Sequence, residues 1–385
     1  MSKRKVCVVV TARPSYSRIK TALAAIQAHP ELELQLVAAA SALLDRYGTA
    51  VRYMEADGFT IAARVMNVLE GGNLVSQAKT TGLGIMELAS VFDNLQPDVV
   101  VTVADRFETM STAIAASYMN IPLVHVQGGE VTGNIDEKVR HAITKLADRH
   151  LVASDDARRR VIRLGEREQT VVNTGCPSID LAEEVRRTPD PTFDPFDRYG
   201  GVGERVDLSG GYLVVLQHPV TDEHAEARQQ VERTLEAVRR FNKPCLWFWP
   251  NVDAGSDGTS KGIRSYRERF PLKHLHFFKN MEGRDFLRLL DGANVLVGNS
   301  SVGIRECAYL GVPVVNIGSR QAGRERGPNV LDVDYATDAI HDAIAYQWSH
   351  GHYPATNVYG GGDAGAKMAD EIAGMELSFT KKITY

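Results

Sequence analysis

The fold class is indicated by VCVVVT at residues 6–11, a helical pattern over residues 18–28 and LELQLVAAA at residues 32–40. Two short apolar runs separated by an amphipathic segment of helix length are typical of a β-α-β unit, whose two strands lie parallel. Another helical pattern follows over residues 43–56, so the alternation repeats. The sequence therefore predicts a parallel sheet that is covered by helices on both faces.

The same alternation runs through most of the 385 residues, with one interruption. Proline, glycine and aspartate dominate residues 188–211, where they disfavour both helix and strand. On each side the pattern predicts a doubly wound, Rossmann-like α/β domain, and the strand ends of two such domains would face one cleft. The predicted organisation is a first domain over residues 1–187, a linker over 188–211, a second domain over 212–362, and a C-terminal helix over 363–385 that packs back on the first domain.

Composition and charge argue against several classes of protein. The net charge of −4 and an isoelectric point near 6.3 disfavour a nucleic-acid or anionic-membrane partner. The sequence has no signal-like segment and no apolar run of membrane-spanning length, which predicts a cytoplasmic protein. The four cysteines are widely spaced and no HExxH pattern occurs, so we expect reduced thiols and no metal. The first turn lacks GxGxxG, which disfavours a nicotinamide, and we expect no cofactor.

Acidic and basic residues are concentrated directly after the strand-like run IPLVHV at residues 121–126. In HVQGGEVTGNIDEKVRHAITK, residues 125–145, Gln127 and Glu130 flank two glycines at the predicted carboxyl end of that strand, where open α/β sheets bind ligands. The glycines would let the backbone turn so that Glu130 enters the site. The segment therefore predicts catalytic groups. The alternative is a solvated loop, with Glu137 as a favourable acid in a first helical turn.

A second polar cluster, NSSVGIRE at residues 299–306, follows the strand-like run ANVLVG. A helix that begins here would offer unpaired backbone N–H groups to a phosphate, and Ser300 and Ser301 would add hydroxyl groups. An ordinary N-cap explains one of these serines, but not the whole cluster with Gly303. Glu306, further along the helix, is placed to bind a ribose diol.

Other strand ends supply further candidates for an anionic ligand. Arg320 and Arg324 lie on the loop after the next predicted strand and are able to hold diphosphate oxygens in a bidentate manner. His218 and Asn251 follow two other strands of the second domain. The first turn of the chain, TARPSYS at residues 11–17, would lie across the cleft.

These motifs together resemble the UDP-N-acetylglucosamine 2-epimerases, specifically the hydrolysing branch, over nearly the whole chain. In chain order they are TARPSYS (11–17), ADRFET (104–109), HVQGGEVTGNIDEKVRHAITKLA (125–147), GCPSID (175–180), LQHPVT (216–221), PNVDAGS (250–256), GNSSVGIRE (298–306) and GSRQAGRE (318–325). The resemblance implies the two-domain glycosyltransferase-B architecture. It also implies an elimination of UDP that gives 2-acetamidoglucal, followed by hydration to N-acetylmannosamine.

The resemblance further implies two sets of site residues. Around UDP it places Arg13, Ser17, His218, Asn251, Ser300, Ser301, Glu306, Arg320 and Arg324. Near the sugar it places Asp105, Arg106, His125, Glu130 and Glu137. Family members often have an acid where this chain has Gln127, so we expect Gln127 to orient the sugar. Glu130 or Asp105 then removes the C2 proton, Glu137 delivers a proton or activates water, and Arg106 orients a carboxylate.

Several alternatives remain open from the sequence. The substrate is UDP-N-acetylglucosamine or a related sugar nucleotide such as UDP-2,4-diacetamido-2,4,6-trideoxyglucose. A glycosyltransferase of the same fold and a non-catalytic nucleotide-sugar sensor are the rival functions. Arg264 and Arg267 form either a regulatory anion site or, as we favour, a solvated helix face. The resemblance suggests a homo-oligomer, either a dimer or a tetramer.

Overall fold

The computed structural model describes residues 2–45, 49–69, 74–104, 106–131, 135–250, 256–382 and 384. The chain forms two compact units, one comprising Met1–Leu181 with Tyr359–Tyr385 and the other comprising Ala182–Val358. Each unit contains one parallel sheet in which helices join most of the consecutive strands, which confirms the predicted fold class.

The first unit is built on a seven-stranded parallel sheet in the order β3-β2-β1-β4-β5-β6-β7. Its strands are β1 (Arg4–Val10), β2 (Leu32–Ala39), β3 (Ile61–Val65), β4 (Val99–Val103), β5 (Leu123–Val126), β6 (Arg149–Val152) and β7 (Val171–Asn173). Its helices are α1 (Arg13–Ser17), α2 (Lys20–Ala28), α3 (Ala50–Ala56), α4 (Leu74–Leu95), α5 (Thr109–Tyr118), α6 (Ile135–Leu146), α7 (Asp155–Arg163) and α8 (Pro177–Arg187), the last of which continues into the second unit.

The central strand β1 shows why the apolar runs become buried strands. Val6, Val8 and Val10 enter one hydrophobic cluster, whereas Cys7 and Val9 enter the cluster on the opposite face of the sheet. Side chains alternate between the two faces of a strand, so an uninterrupted apolar run is favourable only when helices cover both faces.

The second unit is built on a six-stranded parallel sheet in the order β10-β9-β8-β11-β12-β13. Its strands are β8 (Leu213–Leu216), β9 (Cys245–Phe248), β10 (Leu275–Phe278), β11 (Val295–Gly298), β12 (Val314–Ile317) and β13 (Val330–Val333). Its helices are α9 (Pro195–Tyr199), α10 (Ala227–Phe241), α11 (Ser256–Arg269), α12 (Gly283–Asp291), α13 (Ser301–Ile304), α14 (Glu306–Leu310) and α15 (Thr337–His350).

Strand order reverses once in each sheet, between β1 and β4 in the first unit and between β8 and β11 in the second. Chain segments that leave two adjacent strands in opposite directions open a crevice at the carboxyl ends, and such switch points are the usual ligand sites of open α/β sheets. The sequence clusters at residues 11–17 and 104–109 flank the first switch point. Those at 216–221 and 298–306 flank the second.

Residues 188–211 differ from the predicted linker, because they lie within the second unit and contain α9. Asp194 accepts hydrogen bonds from the amides of Phe196 and Asp197, and Pro195 occupies the first helical position. Asp-Pro therefore starts a helix here rather than interrupting structure. Arg198 and Tyr199 then bind the carboxylate of Asp285 on α12.

The chain returns to the first unit at Tyr359, whose carbonyl accepts a hydrogen bond from the Cys176 amide. The last helix, α16 (Ala364–Gly374), packs against α2. The Asp180 carboxylate accepts hydrogen bonds from the amides of Ala364 and Gly365 at 2.8 and 2.7 Å, and so satisfies the exposed donors at the start of α16. None of the described helices is long and apolar enough to cross a membrane.

Candidate functional site

Arg13 and Ser17 lie on α1, which begins directly after β1 at the switch point of the first unit. The Arg13 guanidinium stacks over the Tyr53 ring, 4.9 Å from its centroid. Ser17 is exposed, and its hydroxyl donates to the Arg13 carbonyl at 3.3 Å. Stacking on an aromatic ring restricts the Arg13 side chain without neutralising its charge.

His125 lies on β5 and is completely buried. Its Nε2 lies 2.9 Å from the carbonyl oxygen of Ala104, and its Nδ1 lies 3.2 Å from the Thr144 hydroxyl on α6. Burial lowers the pKa of His125 to about 3, so the imidazole is neutral and Nε2–H donates to Ala104. Ala104 has a φ of 62° at the end of β4. His125 thus holds the strand end next to Asp105, which itself lies outside the described residues.

Arg106 is paired with a carboxylate that the sequence analysis did not select. Its guanidinium contacts both carboxylate oxygens of Glu108, at 3.2 and 3.3 Å, and the Glu108 side chain is buried. Arg106 is therefore paired with Glu108, and its orientation of a catalytic carboxylate stays a prediction. A fully buried acid two residues after an arginine has no signature in the sequence that separates it from a surface acid.

Gln127 and Gly129 form the turn at the end of β5, with φ values of 63° and 76°. A Cβ on Gly129 would lie 2.3 Å from the Ala157 carbonyl, so this glycine is required by the close approach of α7. The buried Gln127 amide donates to the Cys176 sulfur at 3.1 Å, and that sulfur lies 3.1 Å from the Ser178 hydroxyl. Gln127 is therefore held by the segment GCPSID.

Glu130 is 6% exposed and lies just beyond this turn. Its backbone carbonyl accepts a hydrogen bond of 2.6 Å from Arg140 on α6, and Arg140 is almost completely buried. A buried guanidinium is stable only when its donors are satisfied, so this contact fixes the loop to the helix. Arg140 is a positioning residue that the sequence analysis did not single out.

Glu137 occupies the first turn of α6, next to Asp136. Its carboxylate lies 3.4 Å from the imidazole of His141, one turn further along the helix. Both side chains are partly exposed, in contrast to Glu130. Acids in a first turn complement the helix dipole, so Glu137 has a structural reason to occupy this position in addition to its predicted catalytic role.

The other end of α6 is anchored by an ionic cluster around the buried Glu166, which the sequence does not predict. Glu166 binds Lys145 and Lys381 at 2.6 Å each, and lies 3.1 Å from the imidazole of the fully buried His150. Lys381 also donates to the Thr144 carbonyl at 3.0 Å, at the C-terminal end of α6. The C-terminal segment of the chain thus supports the helix that carries Arg140 and Glu137.

His218 follows β8 in the second unit and is buried. Asn299, which follows the neighbouring strand β11, accepts from the His218 amide at 2.7 Å and donates to the His218 carbonyl at 2.8 Å. Burial and then the positive charge of Arg320 lower the pKa of His218 to about 3. Asn299 fixes the backbone of His218, and His218 is neutral in the free protein.

Ser300 and Ser301 lie where predicted, at the start of a helix after β11. Ser300 is the N-cap, and its hydroxyl accepts from the Val302 amide at 3.4 Å. The predicted single helix is instead two short ones, α13 and α14, joined at Arg305 with φ −101° and ψ −73°. Glu306 begins α14.

Gly303 has a packing role of its own within α13. A Cβ at this position would lie 2.9 Å from a methyl group of Val314 on β12, so the glycine lets the helix approach the sheet. A helix of four residues carries little dipole, because the macrodipole grows with the number of aligned peptide units. Any anion bound here must therefore rely on individual N–H and hydroxyl groups rather than on a helix dipole.

The loop after β12 brings two side chains to the same strand end. Arg320 and Gln321 donate to the Asn299 carbonyl at 3.2 and 2.9 Å. Arg326, on the same loop, is instead bound to the Asp332 carboxylate and the Gln321 carbonyl. Arg324 lies between Gln321 and Arg326 in the sequence and is half-buried. Arg320 is thus held beside Ser300, whereas the charge of Arg326 is compensated by Asp332.

The remaining candidates lie elsewhere. Asn251 is outside the described residues. Arg264 and Arg267 on α11 stack over the rings of Trp249 and Phe277, with distances of 5.8 and 4.6 Å to the ring centroids. Among the described residues, no group of three or more histidine, cysteine or acidic side chains is arranged to hold a metal ion.

Comparison with known proteins assigns the chain to one family. The family model described as UDP-N-acetylglucosamine 2-epimerase matches residues 24–373. The chain belongs to this family. Its fold is the glycosyltransferase-B architecture shared by the solved structures of family members, which confirms that prediction.

Three relatives illustrate the similarity. A protein of Legionella pneumophila named UDP-N,N'-diacetylbacillosamine 2-epimerase (hydrolyzing) is 33% identical, over 93% of each chain. A UDP-N-acetylglucosamine 2-epimerase of Neisseria meningitidis is 29% identical, over 94% of this chain and 92% of the relative. A crystal structure of UDP-GlcNAc 2-epimerase from Neisseria meningitidis bound to UDP-GlcNAc gives a TM-score of 0.79 at 17% identity, covering 96% of this chain and 99% of the other.

The ionic cluster at the end of α6 predicts acid-dependent stability in this family member. Burial alone would raise the pKa of Glu166, but hydrogen bonds from His150, Lys145 and Lys381 outweigh it and lower the pKa to about 2. A lowered pKa contributes stability above the unfolded-state pKa of 4.5, and that contribution is lost as the pH falls towards 2. Glu166→Gln should lower the free energy of unfolding at pH 7 by about 3 kcal/mol.

Urea unfolding at a series of pH values checks this expectation, because the gap between Glu166→Gln and wild type should narrow between pH 4.5 and 2. Glu168→Gln is the matched control, since Glu168 forms an exposed pair with Arg158 whose loss costs about 1 kcal/mol or less. A gap for Glu166→Gln that stays constant down to the lowest pH would contradict the assignment.

Proposed function

We propose that the protein is a hydrolysing 2-epimerase that converts UDP-N-acetylglucosamine and water into UDP and N-acetylmannosamine. The observation that carries the proposal is the buried Glu130, held by Arg140 at the end of β5 in a chain of this epimerase family. A sensor of nucleotide sugars gains nothing from burying a carboxylate beside an anionic ligand, whereas proton abstraction requires one.

UDP binds, in this proposal, at the switch point of the second unit. Arg320 contributes positive charge to the diphosphate, Ser300 and Ser301 contribute hydroxyl groups, and Glu306 accepts hydrogen bonds from the ribose diol. His218 is neutral in the free protein, so it contributes a hydrogen-bond donor rather than a fixed charge. The negative charge of a bound diphosphate then raises the pKa of His218.

Catalysis begins with breakage of the bond between C1 and the UDP oxygen, and UDP departs with the bonding electrons. Positive charge at C1 makes the C2 proton acidic, and a carboxylate removes it to give 2-acetamidoglucal. Water then adds its hydroxyl group to C1, while a proton adds to C2 on the face that gives the manno configuration. Stabilisation of the leaving UDP therefore supplies much of the rate enhancement.

The carboxylates of the first unit divide the proton transfers between them. Glu130, or Asp105 at the end of β4, is the base at C2. The partly exposed Glu137 exchanges protons with water readily and serves the hydration step with His141 beside it. Gln127 cannot accept the proton as a carboxylate would. Its side-chain amide, which is held by a hydrogen bond to Cys176, orients the sugar.

UDP-N,N'-diacetylbacillosamine, which is UDP-2,4-diacetamido-2,4,6-trideoxyglucose, is the second candidate substrate. The Legionella pneumophila relative that carries this substrate in its name favours it. Both molecules have an acetamido group at C2 and UDP at C1, so the same residues perform the same elimination on either. They differ at C4 and C6, where the contacts of the sugar ring decide the preference.

Product analysis tests the reaction and the substrate together. Incubation with UDP-N-acetylglucosamine in D₂O should give UDP and N-acetylmannosamine with deuterium at C2, as observed by NMR, because the incoming C2 proton comes from solvent. A parallel incubation with UDP-N,N'-diacetylbacillosamine compares the two values of kcat/KM. Retained protium at C2 contradicts the elimination, and binding without release of free sugar supports a sensor or an acceptor-dependent glycosyltransferase.

Substitution of Glu130 tests the proposed base. Glu130→Gln should lower kcat by at least about 10²-fold, because the amide cannot accept the C2 proton. UDP affinity, measured by calorimetry, should stay close to the wild-type value, since UDP binds the second unit. Asp105→Asn belongs in the same assay, and the exposed Glu31→Gln serves as the control. Normal turnover of Glu130→Gln would remove Glu130 from the mechanism.

Two arginines on one loop offer a matched test of UDP binding. Arg320→Lys should raise the Kd for UDP by about tenfold or more, because a lysine cannot make two parallel hydrogen bonds to the diphosphate. Arg326→Lys should change it by less than about twofold, since Asp332 already compensates that charge. Equal losses of affinity in both variants would show that the loop, and not Arg320 itself, is responsible.

A further inference from the structure

The turn that carries Glu130 has a backbone conformation that its own sequence does not favour. Gln127 adopts a φ of 63°, in the left-handed region, which costs a residue with a side chain about 1–2 kcal/mol. Such a conformation persists only where surrounding contacts determine it. In the first half of the turn these contacts are made by Gln127, whose backbone amide donates to the Leu151 carbonyl at 2.9 Å and whose side chain donates to Cys176. Contacts of a different kind hold the second half.

Two arginines bind consecutive carbonyl groups in the second half of the turn. Arg140 on α6 donates to the Glu130 carbonyl at 2.6 Å, and Arg160 on α7 donates to the Gly129 carbonyl at 3.3 Å. Within the part of the chain that the structure describes, the Gly129 carbonyl accepts no backbone hydrogen bond. Backbone carbonyls away from water need a partner, and the Arg160 guanidinium supplies it here.

These two carbonyls belong to the peptide planes on either side of the Glu130 Cα. Each peptide unit is planar, so φ and ψ of Glu130 are the only soft rotations between the two planes. When both carbonyls are fixed, φ and ψ are fixed as well, and the Cα–Cβ bond of Glu130 points in one direction. Arg140 alone fixes only the plane after Glu130. The plane before it follows a glycine, whose backbone is conformationally permissive, and depends on Arg160.

Three consecutive arginines of α7 point in different directions, because neighbouring residues of a helix are about 100° apart around its axis. Arg158 donates to the Val171 carbonyl at 3.2 Å. Arg159 is 62% exposed and forms an ion pair with Asp156. The Arg160 guanidinium lies 4.0 Å from the same carboxylate, which Arg159 contacts more closely. Of the three, Arg160 is the one that contacts the turn after β5.

We propose that Arg160 is a positioning residue for proton abstraction, which together with Arg140 sets the direction of the Glu130 side chain. This inference rests on the proposed function, in which Glu130 acts as the base at C2. A base must lie within hydrogen-bond reach of the proton that it removes, and a displacement of about 1 Å can cost about 10²-fold in rate. Arg160 contacts neither the sugar nor UDP in this role. Its loss therefore lowers kcat and leaves substrate binding intact.

Replacement of Arg160 by methionine separates the hydrogen bond from the packing of the side chain. Arg160→Met keeps an apolar stem but has no donor, so kcat with UDP-N-acetylglucosamine should fall by at least about tenfold while KM changes by less than about threefold. Arg160→Lys restores an N–H donor, which is all that a single hydrogen bond needs, and should recover kcat to within about threefold of wild type. Arg159→Met on the same helix is the matched control and should leave both constants unchanged.

Hydrogen–deuterium exchange, followed by mass spectrometry, tests the turn without reference to turnover. A peptide that contains residues 127–131 should exchange faster in Arg160→Met than in wild type, and at the wild-type rate in Arg159→Met. Circular dichroism should show that all three variants are folded.

Normal kcat in Arg160→Met would overturn the proposal, as would equal losses of kcat in Arg159→Met and Arg160→Met. An Arg160→Lys variant as slow as Arg160→Met would overturn the hydrogen bond as the cause. A wild type that releases no sugar would instead contradict the proposed reaction. In that case the exchange measurement still decides whether Arg160 holds the turn, because an unchanged rate in Arg160→Met would show that it does not.

Discussion

Backbone groups at the carboxyl end of a parallel sheet lose their strand partners, and buried side chains must satisfy them. In the second unit Asn299 meets this constraint by exchanging two hydrogen bonds with the backbone of His218. Its own carbonyl is then bound by Arg320 and Gln321. One buried amide thus connects the ends of β8 and β11 to the loop after β12. The candidate UDP ligands His218 and Arg320 are both held by this connection, and Ser300 directly follows Asn299 in the chain.

In the first unit a histidine, His125, satisfies the backbone group at the strand end, and this histidine is uncharged. His125 donates to the Ala104 carbonyl from within the sheet, where burial keeps the imidazole neutral. A protonated imidazole at this position would be an uncompensated charge in the core. His125 is therefore a positioning residue rather than a proton carrier. In the proposed mechanism the carboxylates transfer the protons instead, and of these Glu130 is buried whereas Glu137 is partly exposed to water.

Much of the fold, and the sheet edge at which the candidate site residues lie, could be predicted from the sequence, because both depend on local patterns. Apolar runs such as VCVVVT must be strands buried on two faces, and polar clusters directly after them must lie at the sheet edge. Contacts between distant residues could not be predicted in this way. Lys381 reaches Glu166 across more than two hundred residues, and no periodicity reports such a pair. The Asp194-Pro195 helix start was missed because proline and aspartate also mark loops.

The position of helix α6 depends on a contact between residues that are far apart in the sequence. Its first turn carries Asp136 and Glu137, and its last carbonyls receive Lys381, so both ends complement the helix dipole. Between these ends Arg140 holds the Glu130 carbonyl and Thr144 contacts His125. A shift of the helix along its axis would displace all of these contacts together. Because Lys381 is itself fixed by a buried carboxylate, the C-terminal segment sets the position of α6, and through it the loop that carries Glu130.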